Sequence, residues 1–210
     1  MAEIVGTITN LSDFLSKTQV CLSVKPNDPQ QQIICLEADR KYSIPAFQRE
    51  VRWDDNNLKM LLYDLSRSSK FLGNIILTIK SDHTCEIIDG QQRITTLSLL
   101  ILAGINAVVN GDMLKGNEDL EEVKKNYLYA IRRRIDRQIK LRPIEDDMKA
   151  YDALFTNNVE EFISDSGVTA NYRLFYQLIK VSELTFAELI ESIERLTIID
   201  ICLDSRDNPQ

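Results

Sequence analysis

The chain has 210 residues, of which 44% are hydrophobic, and its formal net charge is −7. This composition allows a sizeable core and is unlike that of a disordered chain. The negative charge argues against a protein coated in DNA-binding surface but leaves room for a local basic face. A single histidine, His83, is too few for an HNH nuclease, a zinc protease or a histidine-rich metal site. No signal-like segment opens the chain, and its most apolar run, residues 97–109, is shorter than a bilayer requires, so we expect a cytoplasmic protein without membrane contact.

The first 40 residues predict a short helix and two strands. Asn10 or Ser12 is placed to cap a helix that runs through Leu15. Residues 19–24 and 33–36 are short apolar runs typical of strands, and a turn-rich stretch with two prolines separates them. No function follows from this segment.

Residues 41–88 predict a strand, a helix and a hairpin. The strand at 41–44 ends at Pro45, which cannot donate to a sheet ladder. Four leucines after Asp54 recur at helical spacing: Leu58, Leu61, Leu62 and Leu65. The strands at 74–79 and 84–88 then pair through the turn that contains His83.

Residues 89–93 predict a turn from this strand into a long helix. Asp89 stands where an N-cap would stand, and Gly90 allows backbone angles that let the chain approach a ligand. The free N–H groups of the first helical turn favour anions, and Arg93 is placed to hold a phosphate. The same residues also fit a capped turn with no ligand. The helix itself, to about Val109, is apolar nearly all round and is predicted to lie at the centre of the fold.

Residues 113–195 predict a mostly helical subdomain. Its first helix begins near Asn117 and aligns Arg133, Arg137 and Lys140 on one exposed face at i, i+4 and i+7. That face either contacts DNA phosphates or is simply solvated. Further helices are predicted at 145–155, 172–181 and 185–195. The β-branched run at 196–203 predicts a strand that returns to the sheet, within a terminal segment of residues 196–210.

Three sequence blocks occur together in the order and spacing of a known family: Ile44-Pro45-Ala46-Phe47-Gln48-Arg49, Phe71-Leu72-Gly73-Asn74-Ile75 and Asp89-Gly90-Gln91-Gln92-Arg93-Ile94-Thr95-Thr96-Leu97. With Trp53, they closely resemble the N-terminal domain of GmrSD-type restriction enzymes, the domain-of-unknown-function family 262 of the ParB/sulfiredoxin-like superfamily. The clear match covers residues 42–105. The resemblance implies an α/β (α+β) fold with a small mixed sheet and helices in residues 1–112, followed by the helical subdomain.

The resemblance also implies a nucleoside triphosphate (NTP)-binding and hydrolysing, DNA-sensing domain of a modification-dependent, type IV-like restriction or phage-defence protein. The implied catalytic residues are Asp89, Gln91, Gln92 and Arg93. The implied nucleotide-phosphate-binding residues are Gln48, Arg49, Gly90 and Thr95. The cofactors would be an NTP of unspecified base and Mg²⁺, with no metal site built from protein side chains alone. Glu86 and Asp89, three apart on a strand, point to opposite faces.

Two alternatives remain open from the sequence: a noncatalytic switch that holds nucleotide or DNA at the same turn, and a ParB-like nuclease. Arg49 equally fits a structural salt bridge with Asp89, and Trp53 fits either the core or a stack on a base. In the resembled family the return strand precedes a further motif and often an HNH nuclease domain. We therefore expect a longer protein, a nuclease partner domain or subunit, DNA as a binding partner, and self-association into a homo-oligomer.

Overall fold

A computed structural model describes residues 6–16, 41–65, 71–79, 84–132 and 136–203 of the chain, with the backbone alone described at residues 131, 132 and 136. The strands are β1 Gly6–Asn10, β2 Lys41–Ser43, β3 Phe71–Ile79, β4 Thr84–Asp89, β5 Tyr129–Arg132, β6 Asp136–Ile139, β7 Leu141–Arg142 and β8 Thr197–Leu203. The α-helices are α1 Leu11–Ser16, α2 Asp55–Leu65, α3 Gln91–Val109, α4 Leu120–Val123, α5 Glu145–Leu154, α6 Gly167–Val181 and α7 Phe186–Glu194. The strands predicted at 19–24 and 33–36, and His83, lie outside the described residues.

Six strands form one mixed sheet in the order β1-β8-β3-β4-β2-β7. The pairs β1–β8 and β3–β4 are antiparallel, whereas β8–β3, β4–β2 and β2–β7 are parallel. This mixed sheet with seven α-helices in the described residues confirms the predicted α+β class. The return strand predicted at 196–203 is confirmed as β8, which inserts between β1 and β3.

The helix α3 is the centre of the core. It packs against α6 and α7, and nearly all of its residues are buried. In the part of the chain that the structure describes, α3 alone is long and apolar enough to cross a membrane, and 83% of its most apolar window is buried inside the fold. The apolar character that the sequence gives to residues 97–109 is therefore used for packing, as predicted.

Local capping signals place several other helices where the sequence predicts them. The Asn10 Oδ1 accepts the Asp13 N–H at 2.6 Å at the start of α1. The Asp54 Oδ1 accepts the Asn57 N–H at 2.9 Å at the start of α2. Thr185 and Glu188 form a capping box before α7. Each of these side chains satisfies backbone donors that a helix start leaves free, so the starts are readable from sequence.

The basic helix predicted from Asn117 is wrong beyond residue 128. Asp119 caps α4, which continues as one π-helical turn, Lys124–Leu128, and the chain then forms the antiparallel hairpin β5–β6. An apolar residue recurs at four-residue steps in this segment, as at Val123, Tyr127 and Ile131, and this spacing favours one edge of a helix. Because four is an even number, the same spacing also fits one face of a strand, so it does not separate the two structures. Immediately after this hairpin, β7 pairs with β2 and joins the main sheet.

Candidate functional site

The turn from β4 into α3 has the predicted path but not the predicted cap. Gly90, not Asp89, is the N-cap of α3, with φ 95° and ψ 5°. Among the described residues no side chain caps this helix start, and the first intrahelical bond runs from the Ile94 N–H to the Gly90 carbonyl at 3.2 Å. The N–H groups of residues 91–93 therefore remain available at the positive end of a 19-residue helix.

Gly90 is required by its contact with β3 as well as by its positive φ. A Cβ atom at this position would lie 3.1 Å from the Ile75 side chain and 3.2 Å from the Asn74 carbonyl oxygen. The close approach that glycine permits is thus made to β3. Any ligand at the turn would meet the N–H side of the helix start rather than the Cα of Gly90.

Two glutamines join the preceding loop to the turn. The Gln48 Nε2 donates to the Ile88 carbonyl at 2.7 Å, and the Gln91 Nε2 donates to the Arg49 carbonyl at 2.9 Å. The two sequence blocks around Gln48 and Gln91 are therefore in direct contact, which a shared ligand site would require. Within the described residues the Gln91 Oε1 has no hydrogen-bond partner and remains able to bind water.

Gln92 is buried, and both ends of its amide are already engaged. Its Nε2 donates to the Glu50 carbonyl at 2.8 Å, and its Oε1 accepts the Arg52 N–H at 2.9 Å. Such a two-ended bond fixes the loop in one register. The structure thus gives Gln92 a positioning contact with the loop, whereas the family resemblance implies a catalytic role for it.

The loop is also held from its opposite side, by α5 and α6. The Asp147 Oδ2 accepts the Val51 N–H at 3.1 Å, and a Cβ atom added to Gly167 would lie 2.6 Å from the Val51 carbonyl oxygen. Burial, with a smaller contribution from the negative charge of Glu50, raises the pKa of the Asp147 carboxyl despite this hydrogen bond. Every residue from 48 to 52 therefore makes a hydrogen bond to a neighbouring element, and the backbone of the loop is fixed.

Arg93 is in the first turn of α3, and its side chain contacts β3. Its Nη1 donates to the Asn74 carbonyl at 2.8 Å and lies 4.0 Å from the Asp89 carboxylate, which is 62% exposed. Gly73, with φ 102°, leaves room for the guanidinium, because a Cβ atom there would lie 3.3 Å from the Arg93 Cζ. Gly73 and Asn74 are site residues that the sequence analysis missed, although both stand in one of the three sequence blocks.

The side chains of the loop are exposed even though its backbone is fixed. Phe47, Arg49 and Arg52 all point into solvent. The salt bridge considered between Arg49 and Asp89 is not formed, and neither arginine pairs with a carboxylate within the described residues. Trp53 is partly buried and packs against the core, which favours the structural interpretation of that residue.

Thr95 is predicted to bind phosphate, but the structure buries it. Its exposed fraction is 1%, and neither its hydroxyl nor that of buried Thr96 has a hydrogen-bond partner. A residue inside the core cannot reach a ligand at the surface of the turn without a local rearrangement. Thr95 is therefore close to the candidate site in sequence, but its side chain is not on the exposed face of that site.

The three cations predicted to bind DNA do not share a helical face. Arg133 lies outside the described residues. Arg137 is exposed on β6 and pairs with Glu121 at 3.0 Å. Lys140 is 3% exposed, and its ammonium donates to the carbonyls of Leu15 at 2.7 Å and Asn126 at 2.6 Å. The shared-face prediction is wrong because this segment is a hairpin and its last lysine serves the core.

Protein side chains alone form no evident metal site. Among the described residues, no three His, Cys, Asp or Glu side chains are grouped to hold an ion. Asp89 offers one exposed carboxylate at the turn. Mg²⁺ commonly takes one or two carboxylates and fills its remaining positions with water and substrate phosphates, so Asp89 fits a magnesium–nucleotide complex better than an isolated ion.

Comparison with known protein families gives a match that covers the loop and the turn. Residues 31–210 match the family described as GmrSD restriction endonuclease, N-terminal domain. A search of curated proteins gave no match. The matched range makes up most of the 210-residue chain and includes the loop, the turn, the hairpin and β8. The chain therefore belongs to the GmrSD restriction endonuclease N-terminal domain family and is a domain of the restriction and phage-defence class.

Proposed function

We propose that this domain binds a nucleoside triphosphate at the turn between β4 and α3 and couples that binding to the sensing of DNA. The observation that carries the proposal is the uncapped start of α3 beside Arg93 and the unpaired Arg49. Free N–H groups, the helix dipole and two guanidinium groups all favour the same ligand chemistry, a polyanion. Family membership supports a restriction or phage-defence setting for that chemistry.

Hydrolysis would need little covalent chemistry from the protein. Phosphoryl transfer depends mainly on placing the phosphates and a water and on neutralising charge. In this proposal Arg49 and Arg93 neutralise phosphate charge, and the Gln91 Oε1 orients the water. Gln48 and Gln92 act as positioning residues by holding the loop. Bound Mg²⁺, with Asp89 as its protein ligand, would supply further charge neutralisation.

A noncatalytic switch is the second candidate, and the Gln92 contacts favour it. Both ends of that amide are hydrogen-bonded to the loop, so Gln92 links the start of α3 to the loop and has no free amide atom for a reacting group. A nucleotide at the helix start would then stabilise one arrangement of the loop, without turnover, by binding that arrangement more tightly than others.

The test compares Arg93→Ala and Gln91→Ala with the parent chain in NTP binding and phosphate release. Arg137→Ala is the matched control, because it removes an exposed, paired arginine from the hairpin. We expect Arg93→Ala to weaken NTP binding by about tenfold, the usual scale for one charge-assisted contact. Gln91→Ala should retain binding and lose phosphate release if the domain is an enzyme.

The two candidates separate in the same measurements. A parent that binds NTP but releases no phosphate supports the switch, provided Arg93→Ala still weakens binding. If Arg93→Ala and Arg137→Ala bind NTP equally well and both remain folded, the nucleotide site lies elsewhere and the proposal fails.

A further inference from the structure

The turn that precedes the loop at residues 48–52 carries an aromatic side chain at its tip. The Gln48 N–H donates to the Pro45 carbonyl at 3.0 Å and closes a tight turn in which Phe47 is the third residue. Phe47 is 76% exposed. A buried phenylalanine contributes substantially to stability, so this position forgoes that stabilisation in the free domain.

Exposure alone does not mark a site, because single exposed apolar residues are common. Leu114 has the same exposed fraction, 76%, and lies between Gly111 and Gly116 in the connection that follows α3. A fixed backbone does not distinguish the two positions, because the Leu114 carbonyl accepts the Phe186 N–H at 2.7 Å. Phe47 differs from Leu114 because it is aromatic and because the hydrogen-bonded loop that follows it carries two exposed arginines, Arg49 and Arg52, that pair with no carboxylate among the described residues.

A fixed backbone gives an exposed side chain a defined direction before any partner arrives. Binding then requires little ordering of the loop, which is the main entropic cost of using an exposed segment for recognition. An aromatic ring beside free guanidinium groups matches the chemistry of DNA, which offers base π-faces within a polyanionic backbone. An apolar protein partner would not account for the unpaired arginines.

We propose that Phe47 is a base-contacting wedge that packs against a base step of duplex DNA, while Arg52 contacts an adjacent phosphate. This inference rests on the proposed DNA-sensing function and assigns it to residues separate from the nucleotide turn. The Arg52 N–H is bonded to Gln92, which follows the helix start directly. The same loop therefore touches the nucleotide turn with its backbone and faces DNA with its side chains.

The test measures the affinity of the full chain for short DNA duplexes, unmodified and with 5-hydroxymethylcytosine, by fluorescence anisotropy. A 2-aminopurine in each duplex reports base unstacking. Phe47→Ala should weaken binding at least about fivefold, the scale of one lost aromatic contact with a base, and should remove the 2-aminopurine signal. Phe47→Trp should retain both. Arg52→Gln should lower the slope of log affinity against log salt by about 1.

The matched controls are Leu114→Ala and Lys115→Gln. Both residues are exposed and follow the opposite end of α3, which spans roughly 28 Å at the usual rise per residue. Each should bind DNA within about twofold of the parent. NTP binding should be unchanged in Phe47→Ala, because Phe47 is exposed and is not among the residues proposed to hold the nucleotide.

The inference is overturned if Phe47→Ala binds both duplexes as the parent does, or if Leu114→Ala loses as much affinity. Preference for single strands or RNA without dependence on Phe47 would also overturn it. A parent chain that binds neither duplex removes the DNA-sensing half of the proposed function together with this inference. The NTP titration of Arg93→Ala would still decide the nucleotide half separately.

Discussion

The loop at residues 47–52 and the hairpin β5–β6 both carry cations, yet their charges are used in opposite ways. In the hairpin region Glu121 pairs with both Lys124 and Arg137, and Lys140 enters the core. In the loop it is the backbone of Arg49 and Arg52 that makes hydrogen bonds, and their guanidinium groups pair with no carboxylate among the described residues. The number of cations in a segment is therefore a poor measure of its free positive surface, because neighbouring carboxylates and carbonyls can use those cations first.

The strongest test of this comparison is Lys140→Met, which keeps the length of the side chain and removes its ammonium. The buried carbonyl of Leu15 and the partly buried carbonyl of Asn126 would lose this donor, and leaving a buried acceptor unpaired costs about 1–3 kcal/mol. We expect the free energy of unfolding in urea to fall by about 3 kcal/mol. Lys125→Met, at an exposed neighbouring position, should change it by less than about 0.5 kcal/mol.

If Lys140 instead contacted DNA, its loss would flatten the salt dependence of DNA binding while stability stayed near that of the parent. That result would contradict the difference drawn between the loop and the hairpin, because the ammonium of Lys140 would then be available to DNA.

A smaller effect is expected at Asp147, which holds the loop. Asp147→Ala leaves the buried Val51 N–H without its acceptor and should lower the free energy of unfolding by about 2 kcal/mol at neutral pH. Asp147→Asn keeps an acceptor oxygen at that position and removes the buried charge. Circular dichroism during urea unfolding measures both variants.

The contribution of the Asp147 carboxyl to the free energy of unfolding also depends on pH. Burial raises the pKa of this carboxyl above its ordinary value of 3.8, so the folded protein binds the proton more tightly than the unfolded chain does. The part of Asp147's contribution that is linked to its proton is therefore full below about pH 3.8 and is lost as pH rises through the folded-state pKa, whereas the hydrogen bond to the Val51 N–H does not require that proton. As pH rises through the folded-state pKa, the free energy of unfolding of Asp147→Asn should therefore increase relative to that of the parent. A difference that is constant from acid to neutral pH would contradict this assignment.

The smallest effect is expected at Arg137. Its ion pair with Glu121 joins two side chains that are each 57% exposed, and such pairs contribute about 0–1 kcal/mol. Arg137→Gln should leave the free energy of unfolding within that range and should not change the salt dependence of DNA binding. A fall of about 1 in the salt slope would show that the pair opens to bind phosphate and would restore a DNA contact at the hairpin.

Sequence was most informative where the cause of structure is local. The capping residues of α1, α2 and α7, the apolar character of α3 and the β-branched run of β8 each specify their element within a few residues. The mixed α+β class followed from these elements and from the resemblance. The cap of α3 was misplaced by one residue, because Asp89 and Gly90 are both good N-cap types.

Long-range contacts account for what sequence could not predict. The partners of Gln92 are backbone groups of Glu50 and Arg52, about 40 residues away, so an amide that positions a loop looks the same in sequence as one that contacts water. Periodicity alone likewise cannot separate helix from strand in β5–β6. NTP, Mg²⁺, a nuclease partner, self-association, a cytoplasmic location and the ParB-like relationship remain predictions.

The place of β8 in the sheet has a consequence for how the domain is made. This strand lies between β1 and β3, although more than a hundred residues separate it from either in sequence. During synthesis, β1 and β3 therefore each keep an unpaired edge until residues 197–203 have left the ribosome and can pair with both. Pairings of such high sequence separation form slowly and leave strand edges open to other chains. Because β3 contacts both Gly90 and Arg93, we expect the turn between β4 and α3 to reach its final arrangement only at this late step.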